Sequence, residues 1–142
     1  MQPNIASGYH VLINTVAYEV RLGPLIIARR AISRGDVVAF YRTDGLERQL
    51  FLKRVIGLPG DRISIHNGTV SLNGQPLEEP YQTIGDHSNL QGLTIPSGAV
   101  FVMGDNRPES DDSRSFGPLA MPSIVGKAVL IIWPLSHVRR AG

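Results

Sequence analysis

The 142-residue sequence predicts an all-β fold, with antiparallel sheets forming a compact core and a small inserted β lobe. Fifteen Gly and ten Pro supply turn formers above average usage. The apolar residues gather in short, β-branched runs bounded by Gly, Pro or Asp, and no segment keeps a persuasive helical period. With 42% hydrophobic and 18% charged residues, the composition is neither disordered nor coiled-coil, and the length suits one domain.

In chain order, Val11-Leu12-Ile13, Val37-Val38-Ala39-Phe40, Leu50 to Ile56, Ala99 to Met103 and Ala128 to Trp133 read as buried strands. Between Arg62 and Leu77 the pattern alternates. Ile63 and Ile65 face one way, Asn67-Gly68 turns the chain, Val70 and Leu72 return, and Asn73-Gly74 turns it again. Glu78 to Gly98 is polar and rich in turn formers, with little core of its own. Residues 1–61 and 100–142 are therefore expected to form the core, with 62–99 as the inserted lobe.

The same residues exclude several chemistries. Without Cys there is no disulfide scaffold, thiolate metal site or cysteine nucleophile. A net charge of +2 with no basic run beyond two residues gives no support for nucleic acid. The longest apolar run, Ala128 to Trp133, is far short of the roughly 18 residues of a membrane span. No signal peptide is visible, so the chain is expected to be soluble or the soluble part of something longer. The four His lack metal-ligand spacing, and Glu78-Glu79 and Asp111-Asp112 are adjacent rather than facing. Arg34-Gly35-Asp36 reads as a turn feeding a strand, and Asn67-Gly68-Thr69 as part of a hairpin. No metal or organic cofactor is implied.

Two constellations remain. The fourteen basic residues are twelve Arg and two Lys, and Lys53 lies inside Phe51-Leu52-Lys53-Arg54-Val55-Ile56. Strand alternation sends Lys53 and Arg54 to opposite faces. They are either edge-strand charges reaching water, or at least one of them meets the core. A buried Lys can serve as base or nucleophile if its pKa falls from about 10.4 to about 7–8, a cost of about 4 kcal/mol that apolar burial can supply. The second constellation is Met103-Gly104-Asp105-Asn106-Arg107 through Ser110-Asp111-Asp112-Ser113-Arg114 to Gly117-Pro118. It is either a solvated loop or a loop locked by Arg–Asp pairs, the kind that holds a catalytic group in place.

Lys53-Arg54-Val55-Ile56-Gly57-Leu58-Pro59-Gly60-Asp61 and Gly104-Asp105-Asn106-Arg107 with Ser110, Asp112-Ser113-Arg114 and Gly117 resemble two signature boxes of bacterial type I signal peptidases. Arg34 to Phe40 resembles a third box, and Ile124 to Ala128 with Trp133-Pro134 resembles the C-terminal strand. The resemblance covers nearly the whole chain in order. It implies a serine endopeptidase of the bacterial cytoplasmic membrane whose catalytic domain, on the extracytoplasmic face, cleaves signal peptides from secretory precursors. A Ser/Lys dyad would do the chemistry.

By that resemblance Lys53 is the base and Ser110 orients its amine. Met1, Ile5, Phe51 and Leu52 match pocket-lining positions, and Ala39 a second pocket. Arg54 with Asp105, and Asp112 with Arg114, are the bracing pairs. The nucleophilic Ser is expected directly before Met1, so the chain as given should be inactive. Asn4 stands where the family has Thr, and Gly8-Tyr9-His10 where it has Gly-Asp. An apolar face near the N-terminus is expected to rest on the bilayer, its Arg residues near anionic headgroups. The rival readings are a degenerate homologue that binds extended peptides without cutting, and a mitochondrial inner-membrane peptidase.

Overall fold

A computed structural model describes residues 1–22, 25–29, 31–44, 47–81 and 83–141, with backbone alone at 19–22, 25–29, 44 and 47. The strands are β1 (His10–Asn14), β2 (Glu19–Leu22), β3 (Leu25–Arg29), β4 (Val37–Asp44), β5 (Glu47–Gly57), β6 (Arg62–His66), β7 (Thr69–Leu72), β8 (Gln75–Pro76), β9 (Leu90–Thr94), β10 (Ala99–Met103), β11 (Leu119–Ala120), β12 (Ile124–Trp133) and β13 (Arg139–Arg140). A one-turn helix, α1 (Ser113–Phe116), follows β10. All strand pairings among them are antiparallel.

A seven-stranded sheet has the order β1-β12-β4-β5-β10-β11, with β13 also on β12. A four-stranded sheet, β8-β7-β6-β9, and the β2–β3 hairpin complete the architecture. The four-stranded sheet is not an isolated lobe energetically. Its Ile63, Ile65, Val70 and Leu72 pack with Ile56 of β5 and Phe101 and Met103 of β10 in one cluster. Strand β10 is buried at all five positions because its alternate residues enter two cores: Phe101 and Met103 that cluster, Val100 and Val102 a second with Val38, Phe40 and Val55. A third cluster joins Val37, Ala128 and Ile131 to Ile5 of the N-terminal segment.

The hairpin turns are as the sequence predicts. Asn67 and Gly68 have φ of 46° and 81°, Asn73 and Gly74 of 53° and 83°, the paired positive φ values that a two-residue primed turn requires. Three features depart from expectation. Strand β1, expected to be buried, leaves Leu12 47% exposed, because it lies at the edge of its sheet. The β2–β3 hairpin was not anticipated, and Glu78 to Gly98 contains β9 and the fully buried Ile95. β9 has weak alternation, and the open edge of β6 recruits it, with Ile63 opposite Leu93. Helix α1 is too short to show a period; it is set by its cap, where Asp112 accepts from Arg114 N at 3.2 Å.

Gly126 lets β12 lie close against the N-terminal strand. A Cβ there would lie 2.7 Å from Asn14 O and 2.7 Å from Ile13 Cγ2. Gly126→Ala should force β1 from β12 and cost about 1–3 kcal/mol, read as a lower urea midpoint at unchanged m-value. An unaltered midpoint would show that β1 moves aside freely.

Candidate active site

Strand β5 carries two adjacent cations into the interior. Opposed residues of an antiparallel pair share a face. Lys53 opposes Val38 of the second core cluster, and Arg54 opposes Val37 of the third, so the two charges leave on opposite faces. Lys53 is 8% exposed and Arg54 2%, so neither charge reaches out to water.

Arg54 is held on every side. Its Nε and Nη2 donate to the two carboxylate oxygens of Asp105 at 3.0 and 2.9 Å, and its Nη1 donates to Gly35 O at 3.0 Å. Its guanidinium lies 4.0 Å over the Tyr81 ring. Asn4 donates its amide to Asp105 Oδ2 at 2.7 Å, so the N-terminal segment hangs on the same carboxylate.

Lys53 Nζ lies 2.6 Å from Ser110 Oγ. Burial pushes the Lys53 pKa below its ordinary value, against the pull of Asp112 and Asp111 and with the help of Arg114 and Arg42. The Met1 amine is lowered as well, first by its own burial and then by the Lys53 ammonium, so the start of the N-terminal segment lies in the field of the same amine. Close approach of the groups depends on Gly104: a Cβ there would run into Ser110 Oγ and lie 3.4 Å from Lys53 Nζ.

The loop after β10 is locked rather than solvated. Asp112 is fully buried, takes the Gly104 N–H at 3.0 Å, and takes Arg114 Nε and Nη2 at 2.8 and 2.9 Å. Burial alone would raise its pKa; the hydrogen bonds from Arg114, Ser110 and Gly104 together outweigh it and hold the carboxyl below its ordinary value. Ser113 Oγ accepts from Val102 N at 3.0 Å. Arg107, 3% exposed, donates Nε to Gly104 O at 3.0 Å.

A cleft of about 470 Å³ opens over this pair, lined among others by Met1, Ile5, Phe51, Leu52, Lys53 and Ser110. One wall is a strand edge. β10 pairs with β5 only from Arg54 to Gly57, so Leu50–Lys53 has β4 on one side and no described strand pairing on the other. Sequence reasoning brought Lys53, Ser110, Met1, Ile5, Phe51 and Leu52 to this cleft, and the geometry assembles them. Ala39 is different. It is fully buried between Leu52 and Gly126 in the middle of the sheet and does not line the cleft. The reading missed Gly104, Asn106 and Glu109 as lining residues, and Tyr81, Glu79 and Asp86 as partners of the bracing arginines. No spacing signal links residues 79–86 to the loop; only the tertiary path does. A larger cavity of about 640 Å³, with Arg54 in its wall, lies apart from the Lys53 amine. Among the described residues no group of three or more His, Asp or Glu could hold a metal ion.

A buried amine that sheds its proton readily, set against a hydroxyl beside an open strand edge, equips a hydrolase for extended peptides. Comparison with known proteins agrees. The family model "Signal peptidase, peptidase S26" matches residues 1–133. A probable signal peptidase I-1 of Synechocystis is 34% identical, over 100% of this chain and 71% of its own. Signal peptidase I of Bacillus caldolyticus is 36% identical, over 96% and 76%. The crystal structure of a signal peptidase I from Enterococcus faecalis superposes with a TM-score of 0.57 at 33% identity, covering 70% of this chain and 98% of that one. The chain belongs to the S26 signal peptidase family.

Two outcomes test the brace. Asp112→Ala leaves the Gly104 N–H and part of the Arg114 guanidinium without their acceptor in the interior, and should cost about 3–5 kcal/mol, measured by chemical denaturation. Gly104→Ala should separate Ser110 from Lys53, visible as a lengthened Nζ–Oγ distance in a crystal structure of the variant; an unchanged 2.6 Å contact would disprove the steric argument.

Proposed function

We propose that this chain is the catalytic part of a type I signal peptidase, releasing mature proteins from the signal peptides of secretory precursors. The observation that carries the reading is the buried Lys53 amine 2.6 Å from Ser110 Oγ at the end of an open strand edge. The precursor would add as an extended strand beside Leu50–Lys53, fixed by main-chain hydrogen bonds. Met1, Ile5, Phe51 and Leu52 would fill the floor of the cleft and leave room for small side chains at the last and third-last positions of the signal peptide.

In this reading the nucleophile is a Ser directly ahead of Met1. Met1 lines the same cleft as Lys53 and Ser110, so a residue directly ahead of it would stand near the Lys53 amine. Neutral Lys53 takes the hydroxyl proton as the Ser oxygen bonds to the scissile carbonyl carbon. The Ser backbone N–H, with an upstream hydroxyl, would steady the oxyanion. Lys53 then passes the proton to the leaving amine as the C–N bond breaks, and an acyl-enzyme remains. Lys53 next takes a proton from water as the water oxygen bonds to the acyl carbon, then returns it to the Ser oxygen as the ester C–O bond breaks. This restores the Ser hydroxyl and neutral Lys53 and frees the signal-peptide carboxyl, whose proton is lost to solvent. Because Lys53 must be neutral, the rate rises with pH as it deprotonates, in a range set below the ordinary lysine value by its burial.

The domain is proposed to work on the extracytoplasmic face of the bacterial cytoplasmic membrane. Among the described residues no helix is long and apolar enough to cross a membrane. The expected bilayer contact near the N-terminus is assigned to exposed Trp133, which opposes His10 of β1, with exposed Leu135 and Val138 and then Arg139 and Arg140 following in sequence, a combination suited to an anionic bilayer surface.

The decisive assay compares three chains on one precursor: the chain as given, the chain extended by Ser and a short upstream stretch, and the extended chain carrying Lys53→Ala. Only the second should cleave, after small-x-small sites. Cleavage by the first, or by the third at an undiminished rate, would overturn the mechanism. Binding without cleavage by the second would favour the peptide-binding alternative. Separately, Trp133→Ser with Leu135→Ser should lower sedimentation with vesicles containing phosphatidylglycerol; equal sedimentation would remove these residues from the membrane contact.

A further inference from the structure

The connection between β8 and β9, polar and without a strong sequence pattern, lies across the loop that carries Ser110. Ile84 N donates to Asp105 O at 2.9 Å and Ile84 O accepts from Arg107 N at 3.0 Å, a short parallel bridge between connection and loop. Either side of that bridge a carboxylate grips a loop arginine. Glu79 pairs with Arg107 and also accepts the Tyr81 hydroxyl at 2.8 Å. Asp86 pairs with Arg114 and accepts Ser88 Oγ at 3.0 Å. The connection is in turn pinned from outside by the β6–β7 turn. Gly68 N donates to Ser88 O at 2.9 Å, and Asn67 N to Asn89 Oδ1 at 3.0 Å.

Both arginines act on the backbone that presents the amine and its hydroxyl partner. Arg107 Nε holds Gly104 O, and Gly104 is the residue over which Ser110 Oγ and Lys53 Nζ meet. Arg114 Nη2 donates to Arg107 O at 2.7 Å and to Ser110 O at 3.4 Å. We infer that the β8–β9 connection is a strap that positions Ser110 against Lys53, with Glu79 and Asp86 as positioning residues acting through Arg107 and Arg114. The inference rests on the proposed role of Lys53 as base.

A merely structural role is the alternative, since Leu77 and Tyr81 also cover the first core cluster. The sign of one observable separates them. The charges that face Lys53 are Asp111 and Asp112, which hold its proton, and Arg114 and Arg42, which oppose it; burial lowers it most. Removing a nearby carboxylate acts by charge alone to lower the Lys53 titration midpoint. Releasing the strap lets water reach the amine and raises the midpoint.

The chain has two lysines, so carbon-labelled lysine gives two titration curves, Lys53 and an internal control, Lys127, which pairs with Asp36 elsewhere in the sheet. In Glu79→Gln and in Asp86→Asn the Lys53 midpoint should rise by about one pH unit, with Lys127 unmoved. A Lys53 midpoint that stays or falls would overturn the strap. If either variant unfolds, both lysines shift together, and Ser88→Ala then decides. It deletes only a neutral hydroxyl 3.3 Å from Arg114 Nη1, and should give a smaller rise on an intact fold; no rise would again overturn the inference. The titration needs no cleavage. An inactive Ser-extended chain would remove the proposed mechanism, whereas an unmoved Lys53 midpoint beside active cleavage would remove only the strap.

Discussion

Five segments of the chain converge on the buried pair Arg54–Asp105. Arg54 belongs to the strand that carries Lys53, Asp105 to the loop that carries Ser110, Asn4 to the N-terminal segment, Gly35 to the turn before β4, and Tyr81 to the β8–β9 connection. Taking two charges out of water is expensive, and the pair repays it only with a bidentate geometry and satisfied neighbours. Here the geometry is met, and among the described residues no buried side-chain nitrogen or oxygen is left without a partner. Losing either member would strand the other in the interior. The pair thus fixes where the strand and the loop meet, and the contact between Lys53 and Ser110 depends on that placement.

The neighbouring lysine obeys the opposite logic. Arg54 keeps its charge because a carboxylate faces it in a fork. Lys53 meets a hydroxyl instead, and the carboxylates near it are already committed: Asp112 to Arg114 and Asp111 to Arg42. Desolvation is therefore not cancelled, and the amine sheds its proton more easily than a lysine in water. Two adjacent cations on one strand are tuned to different ends by sending them to opposite faces.

The site is also rigid for a reason visible in the fold. Strand β10, buried on both faces, leads straight into Gly104, and the loop beyond it is tied by side chains to its own backbone and to the β8–β9 connection. A loop whose backbone is held at Gly104, Arg107 and Ser110 by buried or half-buried side chains loses little freedom when a peptide docks. Beside it the cleft keeps a strand edge, Leu50–Lys53, with no described strand pairing on one side, where an extended partner can add.

The sequence alone determined the β class, the positions of five strands though not the burial of β1, both Asn-Gly turns and the residues of the Lys53 and Ser110 boxes. These are local properties: alternation, positive φ at Asn-Gly and β-branched runs read out over a few positions, and the bracing pairs lay within recognisable boxes. Tertiary structure decided the rest. β9 exists because β6 offers it an edge. Ala39, small and on the strand next to the cleft, is sealed between Leu52 and Gly126 because sheet order, which no local pattern encodes, puts β12 on its other side. Whether Lys53 and Arg54 reached water or the core was open in the sequence, since alternation gives opposite faces but not what covers each. Glu79 and Asp86 were silent for the same reason: a carboxylate in a polar stretch acquires meaning only when the chain path brings an arginine from some 28 residues away against it.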